Sequence, residues 1–164
     1  MTIRVLTADD LMLWRGIWLE ALEKLPETFL TTLEEERAKS DADVARQLSK
    51  GQNIGLFDGV ELAAALSVDP ETKPALAHRA WINAFYVRPK WQGTDVAHRL
   101  LQSAISTARS AGYVQLELYV AADNPHAVRF YERAGFVQCG RLPRAVRLPD
   151  RYQDDLHYVC QIGA

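Results

Sequence analysis

The chain has 164 residues, a length typical of one compact domain. Hydrophobic residues make up 48% and charged residues 24%, a composition that excludes disordered and fibrous proteins, and no apolar run is long enough to cross a bilayer. The 19 basic and 21 acidic residues give a net charge of -2, which argues against a protein that grips a nucleic-acid backbone. The first ten residues lack a hydrophobic signal core, and Cys139 and Cys160 match no disulfide framework or zinc pattern. We therefore expect a cytoplasmic protein.

Charge is unevenly distributed along the chain. The segment from Glu20 to Asp43 has eight acidic and three basic residues, whereas the segment from Arg129 to Arg151 has six arginines and two acidic residues. Two solvated surfaces of opposite sign would explain this pattern. The functional alternative is a site that receives a cation at one end and an anion at the other.

In chain order, the first predicted elements are a strand and two helical stretches. The strand covers Ile3 to Leu6, and a capping box from Thr7 to Asp10 opens a helix that ends before Pro26. Apolar residues at helical spacing predict its buried face: Leu11, Trp14, Trp18, Ala21 and Leu22. A second helical stretch, capped by Thr32, is expected to continue from Glu34 to Lys50.

The middle of the chain is predicted to form a β-hairpin, a further strand and a helix. Asn53 to Phe57 and Val60 to Val68 are joined by Asp58-Gly59, a dipeptide that favours two residues at positive φ. The next strand, Arg79 to Val87, precedes a helix from Asp95 to Ser110. The inward stripe of this helix is predicted to be Val96, Leu100, Leu101, Ala104, Ile105 and Ala108.

The remaining elements complete one mixed α/β domain over residues 1–164. A strand from Val114 to Ala121 leads to Asn124-Pro125, a helix N-cap followed by proline at the first helical position. Phe136 to Gly140 and Leu156 to Ile162 are predicted to be closing strands around an arginine-rich loop. No repeat, linker or low-complexity segment interrupts this order.

Common hydrolase, nucleotide and zinc-protease signatures are missing from the sequence. It contains no G-x-S-x-G, no G-x-x-x-x-G-K-[ST] and no H-E-x-x-H. The four histidines are scattered, and His157 and Cys160 would point to opposite faces of a strand. We therefore expect no metal site.

The segment from Phe85 to Ala97 combines a strand, a glycine-bearing turn and a helix N-terminus. Backbone N–H groups at such a turn lack intrahelical partners, and the helix dipole favours a phosphate or pyrophosphate there. A single glycine between a strand and a helix is most often only a turn. This segment alone therefore does not decide the function.

Two segments together resemble the GCN5-related N-acetyltransferase (GNAT) superfamily. Its members carry V-x-P-x-x-[RQ]-G-x-G-[IV]-[GA] after a fourth strand and N-x-x-A-x-x-[FLI]-Y-x-x-x-G-F after a fifth. The first pattern is carried here by Val87, Pro89, Gln92, Gly93, Val96 and Ala97, and the second, more specific one by Asn124, Ala127, Phe130, Tyr131, Gly135 and Phe136. The resemblance covers Ile3 to Ile162 and implies a mixed, mostly antiparallel sheet of about seven strands, flanked by about four helices and splayed between strands four and five.

The resemblance implies acetyl-coenzyme A as cosubstrate. Backbone N–H groups from Gln92 to Ala97 would hold its pyrophosphate, and the backbone of Phe85 and Val87 would pair with the pantetheine arm. Asn124 would bind pantetheine or cap the following helix. The family nearly always has glycine where Asp95 stands, and this carboxylate would repel a pyrophosphate. The implied cofactor-binding residues are Phe85, Val87, Gln92, Gly93, Thr94, Asp95, Val96, Ala97, Asn124 and Tyr131.

Three residues are implied to be catalytic. In the family, the tyrosine that matches Tyr131 often protonates the departing thiolate after direct attack by an amine; its alternative role is to pack the helix on the sheet. Glu117 and Tyr119 lie two residues apart and face the same side of a strand. Tyr119 occupies the place where some relatives carry a catalytic glutamate. Glu117 would act as a base through a water molecule, or else is a paired charge.

The resemblance implies an N-acetyltransferase that moves an acetyl group from acetyl-coenzyme A to a primary amine of a small molecule, with no metal, nucleic-acid or membrane partner. The acidic segment from Glu20 to Asp43 would lie where acceptors usually approach. The sequence does not decide between a monomer and a homodimer. The alternatives are a non-catalytic acyl-coenzyme A-binding module of the same fold, motivated by Asp95 and the missing base, and a peptide or protein N-terminal acetyltransferase.

Overall fold

The described chain, residues 1–163 of a computed structural model, contains seven β-strands and five α-helices. The strands are β1 Thr2–Val5, β2 Asn53–Asp58, β3 Glu61–Pro70, β4 Arg79–Val87, β5 Gln115–Ala121, β6 Val137–Arg147 and β7 Tyr152–Gln161. The helices are α1 Leu11–Lys24, α2 Leu33–Ala38, α3 Asp41–Leu48, α4 Val96–Ser110 and α5 Pro125–Arg133. Short 3-10 turns lie at Ala8–Asp10, Pro74–Leu76 and Pro89–Trp91.

The strands hydrogen-bond in the order β1-β2-β3-β4-β5-β7-β6. The pairs β1–β2, β2–β3, β5–β7 and β6–β7 are antiparallel, whereas β4 and β5 are parallel. This mixed, mostly antiparallel sheet confirms the predicted fold class. Over the described residues, β4 and β5 pair only along Arg79–Trp81 and Gln115–Glu117, so their ladder ends at Trp81 and Glu117.

The described chain divides into two compact units, and the first comprises Met1–Val68 and Asn83–Ala104. Its core buries the apolar face of α1 together with residues of α3 and of the first strands. The most buried members are Leu6, Trp14, Ile17, Ala21, Leu22, Val44, Leu48, Leu62 and Ala65. The predicted face of α1 is confirmed, since Trp14 and Trp18 are buried and their rings stack at 5.8 Å. Burial of each large apolar side chain contributes roughly 1.5–3 kcal/mol.

The second unit comprises Asp69–Ile82 and Ile105–Ala164. Along β5, the buried residues Leu116, Leu118 and Val120 alternate with positions on the opposite face. The Tyr158 hydroxyl of β7, paired with Leu118, donates to Glu132 of α5 at 3.0 Å. This contact ties α5 to one face of the β5–β7 pair. The prediction of one acetyltransferase domain over 1–164 stays a prediction.

The prediction of one continuous helix from Glu34 to Lys50 is wrong, because the helical conformation is interrupted at Lys39. Lys39 has an extended backbone with ψ 136°, and its N–H donates to Glu36. Ser40 then caps a new helix by accepting the N–H of Asp43 at 3.1 Å. This extra start makes five helices rather than about four.

The predicted hairpin between β2 and β3 forms, but its turn lies one residue later than expected. Asp58 pairs with Glu61, so the turn residues are Gly59 and Val60. Only Gly59 has positive φ (61°), which fits a glycine-first turn and not two residues at positive φ. Asp58 stays in the strand, where its carboxylate accepts the indole N–H of Trp91 at 3.2 Å.

The arginine-rich segment predicted as a loop is the second half of β6. The strand continues to Arg147 with a shift in register between Leu142 and Val146, where Arg144 has φ 52°. Asp154 of β7 accepts the Arg144 N–H at 2.8 Å and the Arg141 guanidinium at 2.7 Å. One carboxylate therefore holds the irregular strand in the sheet, a role that the sequence pattern did not reveal.

Candidate active site

The glycine-bearing turn after β4 is held by side chains of the first unit. Trp91 is buried and donates its indole N–H to Asp58. The Gln92 amide donates to the Val87 carbonyl at 2.9 Å. Gly93 has φ 77°, which L side chains rarely adopt, and a Cβ there would meet nothing within 4 Å. The turn is therefore fixed in shape while the space beside Gly93 is open.

Half of the six N–H groups predicted to bind pyrophosphate have partners inside the turn. The N–H of Gln92 donates to Pro89 at 3.2 Å, that of Thr94 to Trp91 at 3.4 Å, and that of Val96 to the Thr94 hydroxyl at 3.3 Å. The N–H groups of Gly93, Asp95 and Ala97 make no hydrogen bond within residues 1–163. Three donors therefore stand at the positive end of the α4 dipole.

Charged side chains near this turn are arranged in pairs. Asp95 is exposed, and its carboxylate lies 4.0 Å from the Arg99 guanidinium. The Lys90 ammonium lies 3.2 Å from Glu61 and 4.4 Å from the centroid of the Trp91 ring. Arg99 therefore offsets part of the Asp95 charge.

Phe85 and Val87 lie at the end of β4 in the same unit, and both are half-buried. The Val87 carbonyl already accepts the Gln92 amide. A pantetheine arm that paired with this backbone would therefore share or displace that bond.

Asn124 and Tyr131 belong to the second unit. The Asn124 side chain accepts the Ala127 N–H at 3.1 Å, so its predicted capping role is confirmed. The half-buried Tyr131 ring meets Phe130 and Phe136 edge-on, with centroids 5.2 and 5.8 Å apart. Burial raises the pKa of the Tyr131 phenol above its ordinary value. The phenol therefore keeps its proton at neutral pH and can donate it.

Glu117 is the most deeply buried titratable side chain among the predicted catalytic residues, with 1% of the residue exposed. Its carboxylate accepts the Arg79 guanidinium, the Gln115 amide at 2.8 Å and the His157 imidazole at 2.8 Å. Burial by itself would raise the pKa of Glu117, but these donors outweigh it and the pKa is lowered. Glu117 is therefore an ionised, fully engaged carboxylate.

Tyr119 is 47% exposed and stands beside two other rings. Its centroid lies 4.8 Å from His157 and 5.5 Å from Trp81, and Trp81 lies 5.4 Å from His157. The interplanar angles are between 14° and 30°. Trp81, Tyr119 and His157, called the ring cluster below, therefore form a near-parallel group on the face that carries Glu117.

Sequence reasoning missed Arg79, Trp81 and His157 as members of this site. Alternation along β7 could have indicated that His157 faces away from the buried Leu156 and Tyr158. The register that pairs Tyr119 with His157 and Trp81 with Glu117 is a long-range property, and no local pattern reports it.

Several carboxylates of the acidic segment from Glu20 to Asp43 are engaged in local hydrogen bonds and ion pairs. The Glu35 carboxylate accepts the Thr32 N–H at 2.8 Å, and the Asp43 carboxylate accepts the Ser40 hydroxyl at 2.6 Å. Asp41 lies 3.1 Å from Arg15. Glu36 is buried beside Lys39 at 2.6 Å. The segment keeps its net negative charge, although these carboxylates also stabilise helix starts and ion pairs.

Residues 1–163 show neither a metal-binding cluster nor a membrane-spanning helix. No group of three His, Cys, Asp or Glu side chains in this range could hold a metal ion. No helix in it is both long and apolar enough to span a membrane.

Comparison with known proteins gives a consistent family. The model of the acetyltransferase (GNAT) family matches residues 15–136. The chain is 33% identical to spermidine N(1)-acetyltransferase of Vibrio cholerae over 47% of its own length and 45% of that protein, so it spans about half of this relative. It is 27% identical to aminoglycoside N(6')-acetyltransferase type 1 of Stenotrophomonas maltophilia, covering 86% of this chain and 89% of that one.

The same fold is found among solved structures. yncA of Salmonella typhimurium, solved with its cofactor acetyl-CoA, superposes with a TM-score of 0.85 at 18% identity, covering 99% of this chain and 94% of that one.

Proposed function

The chain belongs to the acetyltransferase (GNAT) family, and from this premise we propose that it transfers an acetyl group from acetyl-coenzyme A to a primary amine of a small molecule. The observation that carries the proposal is the turn at Gly93. It offers three backbone N–H groups that have no acceptor among residues 1–163, at the start of α4 and beside an open space. This donor set fits a pyrophosphate, because main-chain donors and a helix dipole bind oxyanions with no cationic side chain.

Acetyl-coenzyme A would be held by backbone atoms more than by side chains. The N–H groups of Gly93, Asp95 and Ala97 would face its pyrophosphate, and the backbone of Phe85 and Val87 would pair with pantetheine. Asn124 would order the start of α5 by its cap to Ala127. Gln92, Thr94 and Val96 shape the turn through their own bonds. When bound, the cosubstrate supplies the acetyl group as a thioester.

Tyr131 is the proposed general acid. Its phenol is protonated at neutral pH because burial raises its pKa. A positioned phenol that donates to the leaving sulfur lowers the barrier to departure of the thiolate. Glu117 and Tyr119 belong to the proposed catalytic group as well, although the Glu117 carboxylate is already ion-paired with Arg79. Glu117 therefore acts on the acceptor through a neighbour rather than by direct contact.

The proposed acceptor is a small, cationic amine. The net negative segment from Glu20 to Asp43 attracts cations over a distance. Two similar proteins are named for amine acceptors, spermidine and aminoglycosides, and both acceptors carry several amino groups. Cytoplasmic localisation and a homodimer stay predictions.

The test is a thiol-release assay with acetyl-coenzyme A and a panel of amines, combined with calorimetry of coenzyme A binding. Amine-dependent release with matching acetylamide product supports the proposal. Binding of acetyl-coenzyme A with no turnover of any amine or peptide would favour the non-catalytic module. Turnover of peptide N-termini alone would favour the protein acetyltransferase alternative.

A further inference from the structure

The ring cluster and Glu117 suggest how the acceptor loses its proton, a step for which the sequence offered no clear base. We propose that His157 is the general base that takes a proton from the acceptor amine, and that Glu117 is the positioning residue for its imidazole. This inference rests on the proposed acetyltransferase function and deepens it.

The contact between Glu117 and His157 fixes the protonation pattern of the imidazole. Glu117 Oε2 lies 2.8 Å from His157 Nε2, and the ionised carboxylate can only accept. Nε2 of a neutral His157 therefore carries the hydrogen, and Nδ1 keeps its lone pair. Within residues 1–163, Nδ1 makes no hydrogen bond. The nitrogen that can accept a proton is thus free to do so.

Two neighbouring rings and the Glu117 carboxylate restrain the orientation of the imidazole. The centroids of the Trp81 and Tyr119 rings lie 5.4 and 4.8 Å from that of His157, and Glu117 contacts the Nε2 edge of the imidazole. The His157 side chain is 24% exposed, whereas that of Glu117 is 1% exposed. A small molecule can therefore reach the imidazole but not the carboxylate.

The position of His157 in the sheet also suits a base. The β4–β5 ladder ends at Trp81 and Glu117, and His157 pairs with Tyr119, the next residue on that face of β5. Adjacent residues of a strand point to opposite faces, and Tyr158 contacts Glu132 of α5. His157 therefore lies on the face opposite to α5, the helix that carries Tyr131. The imidazole thus lies beside Glu117, next to the point where the β4–β5 ladder ends.

The proposed step conserves protons and electrons. The acceptor ammonium gives one proton to Nδ1 of His157, and the freed nitrogen lone pair forms the C–N bond to the acetyl carbonyl carbon. The C–S bond breaks and its electron pair goes to sulfur, which takes a proton from Tyr131. As the amide forms, the nitrogen loses its second proton to solvent, and solvent returns one proton to Tyr131. Solvent also removes the proton from His157, so each turnover releases one proton.

Other titratable groups surround His157 on every neighbouring strand. Glu117 and Tyr119 face it from β5, and Arg79 of β4 shares the Glu117 carboxylate. From β6, the Cys139 thiol donates to the His157 carbonyl at 3.5 Å. Asp155, two residues earlier on β7, accepts the Gln153 amide at 2.8 Å. The pH dependence of kcat/KM is therefore assigned to a residue by comparing the wild type with variants, and not from the wild-type pH profile alone.

The experiment measures kcat/KM for an amine found in the thiol-release panel, from pH 6 to 10, for the wild type and two variants. His157→Gln removes the base, and His157→Phe also removes it but keeps a ring beside Trp81 and Tyr119. Both are expected to lower kcat/KM at neutral pH by about 10²-fold or more, with acetyl-coenzyme A affinity unchanged. The loss is expected to shrink as pH approaches the pKa of the free amine, because the deprotonated acceptor needs no base.

Two further variants separate positioning from packing. Glu117→Gln is expected to lower kcat and leave KM nearly unchanged, because its amide oxygen would turn to Arg79 and its NH₂ to Nε2, which puts the hydrogen on Nδ1. His78→Gln is the matched control, an exposed histidine outside the site, and should behave as the wild type.

The outcomes distinguish the two proposals. If the wild type acetylates no amine, the proposed function fails, and this inference fails with it. If the wild type acetylates an amine and both His157 variants keep kcat/KM within about twofold at every pH, His157 is not the base and only this inference is overturned. Parallel losses of kcat/KM, acetyl-coenzyme A affinity and Tm in both variants would show a purely structural role and also overturn it.

Discussion

The side-chain amide of Gln92 donates a hydrogen bond to the carbonyl of Val87 at 2.9 Å, which closes the glycine turn onto the end of β4. The turn thus keeps its shape before any ligand is bound, and Gly93 sits at φ 77° within it. A preformed set of N–H donors binds an anion without a cost for ordering the loop. Substitutions in this turn should therefore change cosubstrate affinity more than turnover.

Gly93→Pro is expected to weaken acetyl-coenzyme A binding by about tenfold or more. Proline cannot adopt φ 77° and removes an N–H donor, and one hydrogen bond to a charged group contributes about 1.5–3 kcal/mol. Calorimetry measures the Kd. An unchanged Kd would show that the pyrophosphate binds elsewhere.

A pair of alanine variants controls for backbone strain. Gly93 and Gly112 both have positive φ (77° and 92°) with open space around the missing Cβ. Alanine at either position should therefore lower stability by a similar amount, about 1–2 kcal/mol. Only Gly93→Ala is expected to weaken acetyl-coenzyme A binding as well, since Gly112 follows the C-terminal end of α4.

Asp95→Gly is expected to tighten acetyl-coenzyme A binding by about threefold to fivefold at low salt. The substitution removes a negative charge from the first turn of α4, and such exposed repulsion costs about 1 kcal/mol. Arg99→Gln should shift the Kd in the opposite direction, because it removes the guanidinium 4.0 Å from Asp95. Both changes in the Kd should become much smaller in 1 M salt, because salt screens the charges. Equal or weaker binding by Asp95→Gly would show that Asp95 points away from the phosphates.

Local signals in the sequence predicted most of the fold. The bounds of β4, Arg79–Val87, are those predicted, and Asn124 caps α5 as its Asn-Pro pattern indicates. The predicted elements were wrong in two kinds of place. In one, a second helix-capping residue lay inside a predicted helix; in the other, a residue distant in sequence determined the conformation. Ser40 starts a new helix inside the stretch predicted to be one helix from Glu34 to Lys50. Asp154 draws the arginine-rich segment into β6.

The candidate site also has one part that local sequence predicts and one part that depends on long-range contacts. The turn around Gly93 is built from consecutive residues, so its backbone donors could be predicted from a strand, a glycine and a helix start. Two of the three partners of Glu117 come from β4 and β7, 38 and 40 residues away along the chain. Only the strand register brings Arg79 and His157 to that carboxylate, and a single sequence does not report the register.

Acid should weaken the fold through the pair formed by Arg4 and Asp10. Both guanidinium nitrogens of Arg4 reach the Asp10 carboxylate at 2.7 Å, and these hydrogen bonds lower the pKa of Asp10 from 3.8 to about 2. A lowered folded-state pKa stabilises the fold above the unfolded pKa, and this contribution is lost as pH falls from about 4 to about 2.

The variant Asp10→Asn should therefore lower the free energy of unfolding at pH 7 by about 1–2 kcal/mol, since Arg4 is partly exposed. Urea unfolding of both proteins at several pH values measures the difference. It should shrink towards pH 2, and a difference that is constant with pH would contradict the ion-pair explanation.

Salt is expected to raise the KM of the amine acceptor. The net negative segment from Glu20 to Asp43 attracts a cation, and salt screens this attraction over about 8 Å at physiological ionic strength. Initial rates at several salt concentrations give the dependence, and a neutral amine serves as the control. A preference for anionic acceptors would instead move the acceptor site towards Arg141, Arg144 and Arg147.

The central claim is that amine attack on the thioester is assisted by proton donation from Tyr131, and the most direct measurement is kcat for amine-dependent thiol release by Tyr131→Phe. The variant keeps the ring that meets Phe130 and Phe136, so only the donor is lost. A thiolate leaves fairly well unaided, and we therefore expect a fall near the low end of the ~10²–10⁴-fold range of general acids, with acetyl-coenzyme A affinity nearly unchanged. Full kcat in the variant, with acetyl transfer rate-limiting and with binding and Tm also unchanged, would show that Tyr131 only packs α5 against its neighbours.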